Sequence, residues 1–289
     1  MLVELKGGDL DVAVVDNADH AETDGHRAGY NGLAWLKHSA RPANLFVPTY
    51  AGLNLELYFD GVEDQRERLF EPRRAPMTVR RIDALTAELH QPPTPVWHVE
   101  SWTTFRLVPP HAIDFHYRAI PRAATFRHGW MGVFWASYIE RPEDLGINFV
   151  AADESRGERW IRHYSPVHGV ESTHRHRDDR LEIHSKPPHT MYMYASMSPW
   201  RYARPYYYGV SHGMMCLFMV EDTPLVRFTQ SPSGGGSGCP AWDYQLIVPD
   251  YRADHEYSLR ARLVYKPLTH HDDIAAEYAR WCAERQGDG

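Results

Sequence analysis

Apolar and polar residues alternate with a period of two along most of this chain. Leu53, Leu55, Leu57 and Phe59 alternate with Asn54, Glu56, Tyr58 and Asp60, and the run stops at Asp60-Gly61. Ile113, Phe115, Tyr117 and Ala119 alternate with Asp114, His116, Arg118 and Ile120 until Pro121. Residues 96–108 read as a long strand closed by Pro109-Pro110, and further strands are expected over 132–139, 147–151, 190–195, 214–220 and 225–229. Such alternation predicts antiparallel sheets with one packed and one polar face. No βαβ rhythm interrupts it, which argues against a doubly wound or barrel α/β fold.

One segment changes period. Ile274, Tyr278, Trp281 and Cys282 fall at helical spacing behind Asp272 and Asp273, whose charges suit a helix N-terminus. A helix is predicted over about residues 270–286, packed on the outside of the sheet and capped by Thr269. The prediction is one all-β domain over residues 1–289, with antiparallel sheets and this C-terminal helix; 289 residues suffice for a large core.

Bulk properties narrow the function. A net charge of −7 argues against a nucleic-acid partner. No apolar run of about 18 residues is present, so no membrane span is expected. Cys216, Cys239 and Cys282 are widely spaced, and the start of the chain lacks a signal-peptide pattern, so a reducing cytoplasm is expected. Nine Trp, 17 Tyr and 18 His are abundant for this length. Aromatic faces suit the C–H faces of sugar rings, and imidazoles move protons near neutrality.

Residues 230–245 hold the densest chemistry. A Gly-rich loop, Gly234–Gly238, leads into a strand on which Asp243 and Gln245 share a face, an arrangement that suits a polyhydroxylated ligand. If the polar strand faces converge, Asn54, Glu56, His116, Arg118, Asp243, Gln245 and Arg262 line one surface; the alternative is a plain solvated face. A histidine-rich loop offers His168, between Pro166 and Gly169, as an acid/base group. His174 and His176, followed by Glu182, are similar to the two-His, one-carboxylate pattern of cupin metal sites. A divalent metal there is the alternative to a reaction without cofactors. His128, Trp135, Tyr208 and His212 complete the candidate set, each also readable as a packed core or loop residue. No nucleophile elbow, P-loop or dinucleotide fingerprint is present.

Three segments resemble the galactose mutarotase-like β-supersandwich proteins, the group of aldose 1-epimerases and hexose-phosphate epimerases. They are Thr103–Leu107 with Ile113–Tyr117, then His128-Gly-Trp-Met-Gly-Val-Phe-Trp135, and Trp242-Asp-Tyr-Gln245 with Pro249-Asp250. The likeness spans about residues 30–267. It implies a β-supersandwich in which Asp243 takes a proton from an anomeric hydroxyl while His128 or His168 protonates the ring oxygen. Asp243 stands where the family has Glu, and the family's His-x-Tyr-Phe-Asn motif is missing. The expected function is acid/base catalysis on a small carbohydrate, as an epimerase, mutarotase or lyase. A metal-dependent His-cluster enzyme and a non-catalytic sugar-binding module are the other two readings.

Overall fold

The computed structural model describes residues 1–153, 155–182 and 196–287. Strands β1 (Leu2–Gly7), β2 (Leu10–Val15) and β3 (Gly32–His38) form a small antiparallel sheet. Next come β4 (Asn54–Phe59), the short helix α1 (Arg66–Leu69), β5 (Thr78–Arg81), β6 (Thr86–Gln91), β7 (Val99–Val108), β8 (Ala112–Pro121) and β9 (Met131–Ala136). The chain continues through β10 (Ile147–Asp153), β11 (Gly157–His163), β12 (Thr173–His176), β13 (Met197–Ser211) and β14 (Met214–Val220). It ends with β15 (Val226–Ser231), β16 (Ala241–Val248), β17 (Tyr257–Pro267) and α2 (His271–Gly287). The predicted strand over 190–195 lies outside the described residues.

The large sheet runs in the order β4-β9-β16-β15-β12-β13-β14-β17-β8-β7-β6-β5, with β10 and β11 joined to it through β13. It bends back on itself. Seven strands separate β4 from β8 in that order, yet the Tyr58 and Tyr117 hydroxyls are 3.2 Å apart. Trp135 on β9 meets Tyr117 edge-on at 4.8 Å and Phe115 at 5.7 Å, and stacks on Tyr244 at 5.2 Å. The inner faces of the two halves therefore form one aromatic-rich core, as in a sandwich.

The outer faces differ, and this sets which strands alternate. On β7 and β8 the outer face is part-exposed, so the period-two pattern predicted from sequence is observed. On β9, β14, β15 and β16 every residue is buried, because a second layer covers their outer face. Over β14 and β17 that layer is α2, whose Ile274 and Trp281 pack against Met215, Leu217, Met219 and Val264. Each such side chain contributes roughly 1.5–3 kcal/mol by leaving water. Over β4, β9 and β16 the layer is made of α1, through Leu69, and of loops carrying Val47 and Trp130.

The strict alternation expected of β4 is broken. Its register against β9 shifts between Leu55 and Leu57, a β-bulge at Glu56. Leu55 and Tyr58 enter the central core, whereas Leu57 and Phe59 face the second layer. The Asn31 side chain holds the bulge: its amide donates to the Leu55 carbonyl at 3.0 Å, and its oxygen accepts the Leu55 N–H at 3.0 Å. Among the described residues no helix is long and apolar enough to cross a membrane, and the three cysteines are unpaired.

Candidate functional site

The bulge on β4 aims Glu56 into a cavity of about 160 Å³ between the outer face of the sheet and its loop layer. Leu57, Phe134, Ala136, Ala241 and Asp243 form its floor from β4, β9 and β16. Tyr30, Phe70 and Arg73 come from loops on one side, and His168 and Gly234 from loops on the other. At about 30 Å³ per liquid water, the enclosed space is worth roughly five waters, the scale of a single small molecule.

A buried polar network organises one wall. Arg73 Nη2 donates to Glu56 Oε2 at 2.6 Å and to the Tyr138 hydroxyl oxygen at 2.5 Å, and its Nε donates to Asn54 Oδ1 at 2.9 Å. Tyr138 in turn donates its O–H to Glu56 Oε2 at 2.5 Å. The ion pair is only 10% exposed on each side, so each charge depends on the other. Burial opposes the charge of Arg73, but Glu56, Tyr138 and Tyr30 outweigh it and raise its pKa further. The Tyr30 ring lies 4.2 Å from the guanidinium, and Tyr30, Tyr50 and Tyr138 pack as an aromatic cluster beside it.

Asp243 faces this network in a different state. Its Oδ1 accepts the Ser137 backbone N–H at 2.9 Å, while Oδ2 is buried without a hydrogen-bond partner. Burial first, then the neighbouring Glu56 charge, pushes its carboxyl well above the usual carboxylate range; the Ser137 amide and Arg73 offset this only in part. Two carboxyl groups thus share a cavity in opposed environments, one ion-paired and one whose protonated form burial favours, a pattern that suits acid/base division of labour.

Two loops close the cavity. The loop bearing His168 is pinned where Ser165 donates its N–H to Gln230 Oε1 at 2.7 Å and its hydroxyl to the Val170 carbonyl at 2.5 Å. The Gly-rich loop turns back on itself, with Gly235 N–H donating to the Cys239 carbonyl at 2.9 Å. A Cβ on Gly234 would stand 2.7 Å from the Ala241 Cβ and 3.3 Å from the Tyr138 ring, so glycine is required for the close approach.

Comparison with known proteins identifies the architecture. No protein-family model matches the sequence, and no curated protein is similar to it in sequence. Solved structures do match. A galactose mutarotase related enzyme from Lactobacillus acidophilus is 8% identical with a TM-score of 0.53, covering 93% of this chain and 98% of the other. An aldose 1-epimerase candidate from Escherichia coli K12 is 12% identical with a TM-score of 0.52, covering 93% and 99%. An aldose epimerase homologue from C. elegans is 8% identical with a TM-score of 0.50, covering 93% and 99%. The chain has the galactose mutarotase-like fold. At these identities the likeness establishes the fold alone.

Within this supersandwich the sequence-predicted residues separate. Glu56, His168 and Asp243 line the cavity, and Asn54 supports it through Arg73. Gln245 is buried next to Asp243 on the same face, its amide donating to Thr229 Oγ1 at 3.1 Å, but it does not line the cavity. Trp135 belongs to the central core, on the opposite face of β9. His128 lies in an exposed turn before β9, and His212 in the exposed β13–β14 turn, where its backbone N–H meets Glu143. Tyr208 is directed toward α2, 2.8 Å from His271 Nε2. His116, Arg118 and Arg262 stand on the far half of the sheet, where Arg262 binds Asp114 at 2.6 Å and Glu284 at 2.7 Å. The single polar surface expected from sequence is thus two surfaces, because the sheet folds over between β16 and β8.

His174 and His176 share a face of β12 but have different neighbours. His174 packs on Phe149 and His163, whereas His176 lies 3.4 Å from Asp222. Glu182 pairs instead with Arg175 at 3.3 Å. Among the described residues no three His, Cys, Asp or Glu side chains are grouped to hold a metal ion. Arg73, Tyr138 and Tyr30 are the wall residues that sequence reasoning missed. Arg73 sits in the turn after α1, where no periodic pattern distinguishes it from its neighbours. Tyr138 follows a strand whose aromatic residues read equally as core.

Proposed function

We propose that the cavity binds a single sugar or sugar derivative and that Asp243, Glu56 and His168 carry out acid/base chemistry on it, as an epimerase or mutarotase. One observation carries the reading: acid, carboxylate and imidazole from positions 56, 168 and 243 meet around one cavity with a tyrosine-lined wall. The likeness of fold to proteins named as aldose epimerases supports the substrate class. The cavity volume is on the scale of one sugar ring, and the fold's likeness to proteins named as aldose epimerases favours the epimerase reading.

Burial and Glu56 favour the protonated form of Asp243, so in this reading it enters the cycle as the acid, reversing the role that the resemblance implies. In the proposed step a proton leaves the anomeric hydroxyl for His168. Asp243 gives its proton to the ring oxygen, the ring C–O bond breaks, and the anomeric carbon becomes a carbonyl. Rotation and closure on the other face return both protons. Arg73 and Tyr138 hold Glu56 so that it can accept a sugar hydroxyl, and the Tyr30 ring offers an apolar face. A thermal-shift screen of monosaccharides tests the binding half: a ligand should raise the melting temperature of the wild type and not of Glu56→Gln. If no monosaccharide does so, the reading fails.

A further inference from the structure

The register of β7, β8 and β17 sets two cross-strand rows side by side on their outer face. Asp114 stands between Arg106 and Arg262 in one row, and His116 between Thr104 and Arg260 in the next. Asp114 balances its row, gripped by Arg262 at 2.6 and 3.1 Å and reached by Arg106 at 3.5 Å. In the His116 row the acid, Glu88, lies beyond Thr104 on β6, where it accepts from Arg80 at 2.7 Å and from the Thr104 hydroxyl at 3.5 Å. Helix α2 roofs both rows with Trp281 and Arg285 and leaves a cleft of about 250 Å³ over them.

The nearby carboxylates are engaged. Glu221 accepts from Arg285 at 3.1 Å and from the Arg260 backbone N–H at 3.3 Å. Glu256 accepts from Arg118 at 3.3 Å, and Glu284 from Arg262 at 2.7 Å. The Arg260 guanidinium is in no ion pair among the described residues. A cation directly across the strands disfavours the protonated form of an imidazole. Burial, then Arg260 and Arg118, hold the His116 pKa down, with Arg285 adding to them and Glu256 opposing.

We propose that this cleft is a binding site for a phosphate-class oxyanion on a small molecule, with Arg260, Arg106 and Arg285 as its cationic wall and His116 as a further donor. Guanidinium forks match such oxygens in geometry as well as charge. Trp281 and Ala261 give the rest of the ligand an apolar surface. An anion here would also relieve the His116–Arg260 opposition, so occupancy and protonation of His116 are linked.

That linkage supplies the test. The His116 ring resonance, assigned by its loss in His116→Gln, is titrated with pH in inorganic phosphate and in potassium chloride of equal ionic strength. Phosphate should raise its midpoint saturably by at least about half a unit, a threefold or greater preference for the imidazolium form. Arg260→Gln, a change at an exposed position, should abolish the shift, and Asp243→Asn should leave it intact. No shift beyond that in chloride, or a shift that survives Arg260→Gln, overturns the proposal.

Discussion

Arg73 reaches across the cavity wall to place its Nη2 2.6 Å from Glu56 Oε2, in a setting where neither side chain is more than 10% exposed. Removing one member leaves the other as an uncompensated buried charge, which costs about 3–5 kcal/mol. Arg73→Met should therefore lower stability by that order in urea denaturation. Tyr138→Phe, which removes one hydrogen-bonding group, should cost about 1–3 kcal/mol. A loss below 1 kcal/mol for Arg73→Met would show that water solvates the pair.

Asp243 makes a second prediction through pH. Its folded pKa is raised, so its contribution is fully present below the ordinary carboxylate value of 3.8 and declines as pH rises toward the folded value. Asp243→Asn keeps an oxygen for the Ser137 N–H and removes the ionisable proton. The variant should gain stability relative to wild type as pH rises above the ordinary carboxylate value, with a flatter pH dependence there. The same pH dependence in both proteins across that range would contradict a raised folded pKa for Asp243.

His174 works in the other direction. It is fully buried against Phe149 and His163, and burial, then His163, lowers its pKa well below 6.5. A depressed folded pKa contributes stability that is present above 6.5 and is lost as pH falls through the folded value. Replacing the ring by one that cannot ionise, His174→Phe, should flatten the acid limb of a melting-temperature profile. An unchanged acid limb would place the acid sensitivity elsewhere.

How much of this was legible in the sequence follows from what each strand faces. The alternation of β7 and β8 is readable because their outer face meets water, and α2 because its stripe of Ile274 and Trp281 changes period. The Glu56 bulge was not readable: one extra residue reverses the facing of everything after it, and its cause, the Asn31 side chain, lies 24 residues away. Asp243 and Glu56 could be nominated as polar residues in otherwise apolar strands. His116 and Arg262 carry the same signature, and only the fold-over of the sheet assigns them to a different surface. Arg73 and Tyr30 sit on loops, where no period marks which side chains turn inward.

The Gly-rich loop gives a prediction on affinity. Gly234→Ala would place a methyl group against Ala241 and the Tyr138 ring, an overpacking worth about 1–3 kcal/mol. The displaced ring narrows the cavity, so ligand affinity should fall about tenfold for each 1.4 kcal/mol lost. Isothermal titration with any sugar found by thermal shift measures this; unchanged affinity would remove the loop from the site.

The central claim is that Asp243 moves protons on a bound sugar. Exchange between anomers of the bound monosaccharide, followed by NMR with and without the protein, tests it most directly. The account predicts that wild type accelerates exchange and that Asp243→Asn reduces the acceleration by about 10²–10⁴. Equal acceleration by wild type and a folded Asp243→Asn variant, or none by either despite binding, would contradict it.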